Sequence, residues 1–145
     1  MEADGAVYAP DGAPDGQDAV VVSAGATHPL PGWLAALRGG GRLVCPLTST
    51  GRGGVMLKVT RAGPGQGEGQ GQRLAAELLC GVEFIPFVGG RDAAADERLA
   101  TAIQRGNTDF VRSLRLDAHM PDGSCWLHAD TFCLSWRDPD PPGSA

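Results

Sequence analysis

The sequence predicts one α/β domain built on a mixed parallel and antiparallel sheet, and three observations carry that expectation. Residues 19–24 are a continuous, largely β-branched apolar run without polar alternation, the pattern of a strand covered on both faces, which belongs to parallel sheets. A short helical segment, a glycine triplet and a second apolar run at 42–47 follow at once, so strand, helix and strand form a unit whose two strands should lie parallel. The length of 145 residues, 42% of them hydrophobic, supports one compact core and is too short for two of ordinary size.

The elements follow in chain order. Residues 1–18 are rich in Asp, Gly, Pro and Ala, with a short strand expected at 6–9 that ends at the turn Pro10-Asp11-Gly12. After the strand at 19–24, Pro31 suits a first helical turn, Trp33, Leu34 and Leu37 give an apolar face, and Gly39-Gly40-Gly41 should stop the helix near Arg38. Residues 55–61 read as a strand that becomes amphipathic toward its end, and 63–72, nearly all Gly and Gln, as a solvated loop. Leu, Ala and Glu favour helix by propensity at 73–80, but the segment is short and a strand-like 82–88 follows. The reading is therefore a strand broken near Gly81, with 55–61 and 82–88 an antiparallel pair. Asp92 is placed to cap a helix from 93 to 104 or 105, with Leu99 and Ile103 on its buried face and Gly106-Asn107 as its stop. A hairpin of 110–116 with 125–136, joined by Pro121-Asp122-Gly123, is expected next, and 139–145 reads as a disordered tail.

Composition excludes several function classes. The net charge is −5, and Lys58 is the single lysine among twelve cations, so no basic patch favours a nucleic acid or an anionic membrane. No apolar run approaches the ~20 residues a bilayer span requires, and the opening Met1-Glu2-Ala3-Asp4 is acidic where a secretory leader is basic. A cytoplasmic location with four reduced, mostly buried cysteines is expected.

Three segments carry a family resemblance: residues 18–29, DAVVVSAGATHP; residues 37–47, LRGGGRLVCPL; and residues 82–87, VEFIPF. Together they resemble the C-terminal half of protein-L-isoaspartate O-methyltransferases, in which a buried strand after an Asp leads to a small-residue loop, a Gly-Gly-Arg-Leu-Val-Pro segment re-enters the sheet, and a late strand reads Val-x-Phe-x-Pro. The resemblance covers about residues 6–90. It implies a partial doubly wound, Rossmann-like sheet at 1–90, with residues 91–138 a helix and hairpin extension packed on the same domain. It also implies S-adenosylmethionine as cofactor, a protein or peptide carboxylate as acceptor, and Asp11-Gly12 as the turn beside the adenine. The family's cofactor-binding Gly-x-Gly-x-Gly turn after its first strand, the acidic end of its second strand that holds the ribose, and its Ser-bearing upstream substrate loop have no counterpart in this sequence. The chain is therefore expected to bind the cofactor weakly and to be an inactive or poor enzyme alone, whether Met1 is an internal start or the protein is a natural remnant.

The candidate cofactor-binding residues are Asp11, Gly12, Ala24, Gly25, Thr27 and His28, the last four lying just past the carboxyl end of a parallel strand, where open α/β sheets bind ligands. No catalytic acid or base is assigned, because a carboxylate acceptor is already a nucleophile and positioning supplies most of the rate. Cys125-x-x-His128, with His119 and Cys133 nearby, is read as buried thiols rather than a metal site, since residues three apart on a strand point to opposite faces. Neither Gly39-Gly40-Gly41 nor Gly51-Arg52-Gly53-Gly54 leads into the helix and Lys-Ser or Lys-Thr of a phosphate loop. The alternative to a methyltransferase is a non-catalytic binding or assembly module that associates through the apolar edge of the 20–24 strand.

Overall fold

A computed structural model describes residues 16–50, 53–62, 74–83, 85, 90–116 and 119–138. The turn at Asp11-Gly12, the expected strand at 6–9, the glycine and glutamine loop and the 139–145 tail lie outside the described residues. Seven strands form one mixed sheet in the order β1-β2-β3-β4-β5-β7-β6. They are β1 (Gln17–Val21), β2 (Leu37–Ser49), β3 (Gly53–Arg61), β4 (Leu74–Val82), β5 (Ser113–Arg115), β6 (Cys125–His128) and β7 (Cys133–Ser135), accompanied by helices α1 (Pro31–Ala35) and α2 (Ala93–Arg105).

β1 and β2 pair in parallel, with Val20 opposite Leu43 and Val21 opposite Val44. The helix between them is a single turn with Pro31 at its start and Trp33 and Leu34 buried. It stops before Leu37, and the glycine triplet expected to end it lies inside β2 instead. From Gln17 to Ala19, two steps along β1 face five steps along β2, from Leu37 to Arg42, so the glycines form a bulge. Gly40 has φ +84°, and a Cβ on Gly41 would stand 2.7 Å from the Gln17 carbonyl oxygen. Only glycine lets the two backbones pass this closely.

β2 and β4 flank β3, both antiparallel to it. The segment of ambiguous propensity is thus a strand, and β3 takes residues 74–82 as its partner rather than 82–88: Val59 faces Ala76 and Lys58 faces Glu77. Burial decides this, because Leu74 and Ala76 alternate with exposed Ala75 and Glu77, a period of two that lets β4 cover the core with one face. The expected hairpin of 110–116 with 125–136 is also rearranged. β5 pairs with β7, Leu114 facing Leu134, and β6 occupies the outer edge, paired only with β7.

α2 matches its sequence signals. The Asp92 carboxylate accepts a hydrogen bond from the Ala95 amide at 2.8 Å, and Gly106 at φ +78° ends the helix. Ala95, Leu99 and Ala102 are buried as α2 packs on β2 and β6. The core joins Trp33, Leu43, Leu47, Leu57, Leu99 and Leu134, all buried. No helix among the described residues is long and apolar enough to cross a membrane.

Among the described residues β1 is the other edge strand. It is not covered on both faces as its composition suggests: Val21 is 74% exposed, whereas Val22 is buried. An apolar parallel edge without Lys or Pro is a template for pairing with another chain. Val21→Lys is expected to change stability by less than about 0.5 kcal/mol and to reduce self-association, read by sedimentation velocity at about 50 µM, a range in which exposed edges associate. A wild-type chain that sediments as a compact monomer, unchanged by the substitution, would contradict this.

Candidate functional site

The loop after β1 continues along β2 rather than turning out to solvent. The Val22 amide donates to the Val44 carbonyl at 2.9 Å, the Ala26 amide to Pro46 at 3.1 Å, and the Thr48 amide returns a bond to Ala26 at 2.8 Å. On its far side the same loop meets the chain leading to α2: Gly25 N donates to Ile85 O at 2.8 Å and Thr27 N to Gly90 O at 2.9 Å. Residues 25–27 are therefore held between β2 on one side and Ile85 and Gly90 on the other, and all three are buried.

Their side chains are committed as well. Thr27 Oγ1 accepts from the Asp92 amide at 2.9 Å and lies 3.3 Å from the Gly90 carbonyl oxygen and 2.9 Å from His28 Nδ1. A Cβ on Gly25 would fall 2.3 Å from Thr48 Oγ1, so the space a ligand could use against this glycine is filled by the threonine. Small residues here serve close packing of the protein against itself.

Arg91 completes the arrangement. Its guanidinium donates to the Gly25 carbonyl at 3.1 Å, to Thr48 Oγ1 at 2.8 Å and to Asp96 Oδ2 at 3.1 Å. Asp96, in the first turn of α2, also accepts from the Thr50 amide at 2.9 Å and the Thr50 hydroxyl at 2.7 Å. Burial pushes the Asp96 carboxyl up, but the Thr50 bonds and Arg91 outweigh it and hold the group below the ordinary carboxylate range. One ion pair thus fastens the post-β1 loop, the end of β2 and the start of α2. Arg91, Asp96, Thr48 and Thr50 were not singled out by sequence reasoning. A cation beside the Asp92 helix cap, followed by an acid in the first helical turn, is the local signal that points to them.

His28 is the candidate with the most freedom. It is half-buried, and burial lowers its pKa, with Asp92 opposing that shift and Arg91 adding to it, so the ring is mainly neutral at pH 7. Ala24, four residues earlier, is partly exposed. Asp11 and Gly12 lie outside the described residues. A cofactor cradle needs open backbone amides or unused hydroxyls. Gly25 and Thr27 offer neither, their amides and the threonine hydroxyl being bonded to the protein's own chain.

The second group of chemically able side chains lies at the other end of the sheet. His119, Cys125, His128 and Cys133 bring their donor atoms within 4.8 Å of one another. The expectation that Cys125 and His128 face opposite ways does not hold: Cys125 Sγ and His128 Nδ1 are 3.6 Å apart. A register shift between Cys125 and Leu127 adds a residue to β6 relative to β7, and the extra residue reverses the alternation. All four cysteines are free thiols, with Cys45 and Cys133 buried, Cys125 half-buried and Cys80 exposed. Burial pushes the Cys45 thiol up to about 12, which makes it inert.

No protein-family model matches the chain. Among curated proteins it is 35% identical over 89 residues to Protein-L-isoaspartate O-methyltransferase 1 of Geotalea uraniireducens. It is 40% identical over 89 residues to Protein-L-isoaspartate O-methyltransferase 2 of Pelobacter propionicus. Each match takes in 61% of this chain and 36% of the relative. Over that stretch the chain is related to the protein-L-isoaspartate O-methyltransferases, and it covers about a third of the length of the curated relatives it matches.

Proposed function

We propose that this chain supplies part of a methyltransferase of the protein-L-isoaspartate type, which esterifies an isoaspartyl carboxylate of an aged protein or peptide in the cytoplasm. The observation that carries the proposal is the 35–40% identity over 89 residues to two proteins so named. In this reading the parallel β1–β2 pair is a fraction of a doubly wound sheet, and the Arg91–Asp96 pair positions the loop after β1 so that Ala24 and His28 border the reaction pocket. The methyl donor, S-adenosylmethionine, is held by the part of a relative-length protein that lies outside the matched stretch, because Gly25 and Thr27 are spent on internal packing.

Calorimetric titration tests this division of labour. The isolated chain is expected to bind S-adenosylmethionine more weakly than about 1 mM, corresponding to less than ~4 kcal/mol. A micromolar affinity in the isolated chain would show that its own residues build the cradle and would overturn the proposal in this form. The exposed Val21 on the β1 edge supports a second reading, a non-catalytic module that completes its sheet with another chain. That reading predicts a tight complex without methyl transfer.

A further inference from the structure

The last three strands are three, four and three residues long, at the short end of the usual range. β6 is the outermost of them and pairs only with β7. A nine-residue connection, 116–124, separates β5 from β6, and His119 lies within it.

The donor atoms there lie within 4.8 Å of one another, and three of their distances approach those of a tetrahedral metal site. Cys125 Sγ is 3.7 Å from His119 Nε2, 3.6 Å from His128 Nδ1 and 3.3 Å from Cys133 Sγ. A tetrahedral zinc ion with Zn–S near 2.3 Å and Zn–N near 2.0–2.1 Å has sulfur–nitrogen edges of about 3.6 Å and sulfur–sulfur edges of about 3.8 Å. The two sulfur–nitrogen distances already equal those edges to about 0.1 Å, and the sulfurs need to open by only about half an ångström. The His119 and His128 rings stand edge to face, with centroids 4.7 Å apart and planes at 85°. Two soft thiolates with two imidazoles select zinc over harder cations.

The fold builds this set from three places. His128 and Cys133 are direct cross-strand partners, the bulge in β6 brings Cys125 to the same side, and His119 enters from the preceding connection. The Asp122 carboxylate accepts from Ser124 N at 2.8 Å and Ser124 Oγ at 2.6 Å, fixing the turn between His119 and Cys125. Cys125 and His128 also line an open groove of about 620 Å³ beside α2, which gives an ion a path from solvent.

We propose that His119, Cys125, His128 and Cys133 form a closed, four-ligand zinc site that ties the β5–β6 connection to the β6–β7 hairpin. With every coordination position filled by protein the site is structural, and its stabilisation is binding free energy coupled to folding. It stands independently of the methyltransferase reading.

The test uses the full chain without a histidine tag, kept reduced, stripped with chelator and titrated first with Co²⁺ and then with Zn²⁺. The expected result is a tetrahedral cobalt ligand-field band with thiolate-to-metal charge transfer that saturates at about one equivalent and is bleached by zinc. Cys125→Ser and Cys133→Ser should each lower metal affinity at least ~10-fold and weaken the charge transfer, as loss of a ligand does, whereas Cys80→Ser, at an exposed thiol elsewhere, should leave both unchanged. Absence of the cobalt–thiolate band in the reduced wild-type chain would overturn the proposal even if the serine variants fail to fold. So would a band undiminished in both folded serine variants, or a Cys125–Cys133 disulfide that persists under reductant.

Discussion

Gly54→Ala is expected to destabilise the chain by about 3 kcal/mol or more, at the upper end of over-packing costs. A Cβ there would stand 2.3 Å from the Leu47 carbonyl oxygen, 2.7 Å from Thr48 Cγ2 and 2.9 Å from Thr48 Cα. The carbonyl oxygen and the Cα are backbone atoms of β2, an interior strand of the sheet, and cannot yield without breaking the β2–β3 ladder, in which Gly54 faces Thr48. Gly25→Ala meets the same threonine from the other side, but its contacts are the side-chain atoms Oγ1 at 2.3 Å and Cγ2 at 2.8 Å. Thr48 is thus clasped between two glycines, Gly25 against its side chain alone and Gly54 against backbone as well as Cγ2. Thr48→Ala should recover roughly half of the ~2 kcal/mol loss from Gly25→Ala and little of the loss from Gly54→Ala, because over-packing is relieved only where the blocking atoms are removed. Urea denaturation of the singles and doubles measures both couplings, and equal rescue at the two positions would contradict the geometry.

The second large effect is on the Arg91–Asp96 pair. Arg91→Ala leaves the Asp96 carboxylate, the Gly25 carbonyl and Thr48 Oγ1 without a shared donor, and is expected to cost about 2–3 kcal/mol. Arg91→Lys should not restore it, since an ammonium cannot reproduce the forked contacts of a guanidinium. Asp96→Asn carries a pH signature. Because the folded carboxyl sits below its ordinary value, its contribution is complete above the unfolded pKa of about 3.9 and is lost as pH falls through the lower, folded value. Wild type and Asp96→Asn should therefore differ at pH 7 and converge in strong acid, which chemical denaturation across that range reads directly. A stability difference independent of pH would remove the carboxylate's charge from the account.

Much of the fold was legible in local signals. α2 follows from the Asp92 cap and the Gly106 stop, and the parallel β1–β2 pair from two apolar runs bracketing a short helix. What local reasoning missed has one recurrent cause, the β-bulge. The glycine triplet reads as a helix stop, yet it lets β2 begin at Leu37 because an irregular register absorbs the extra residues. An extra residue in β6 likewise turns Cys125 and His128 to one side, against the strict alternation assumed for a regular strand. Bulges depend on the partner strand, which the local sequence does not specify.

The strand exchange at the far end has the same origin. Propensity identifies 113–115 and 125–128 as extended but is silent on which neighbour each takes, and the order β5-β7-β6 is settled by burial of Leu114 against Leu134. At the loop after β1, small side chains suggested space for a ligand. Their function in the fold is to admit Thr48 and the backbone leading into α2, and a run of small residues reads the same way whether a ligand or the protein's own chain comes close.

Methyl transfer by a hybrid protein tests the functional claim most directly. The matched 89 residues of the Geotalea uraniireducens relative are replaced by the corresponding residues of this chain, and the hybrid is given radiolabelled S-adenosylmethionine with an isoaspartyl peptide and its aspartyl isomer. The account predicts a base-labile methyl ester on the isoaspartyl peptide alone, at a rate within about tenfold of the parent, or ~1.4 kcal/mol in the barrier. A hybrid that melts cooperatively, binds S-adenosylmethionine as the parent does and yet transfers no methyl group would contradict it.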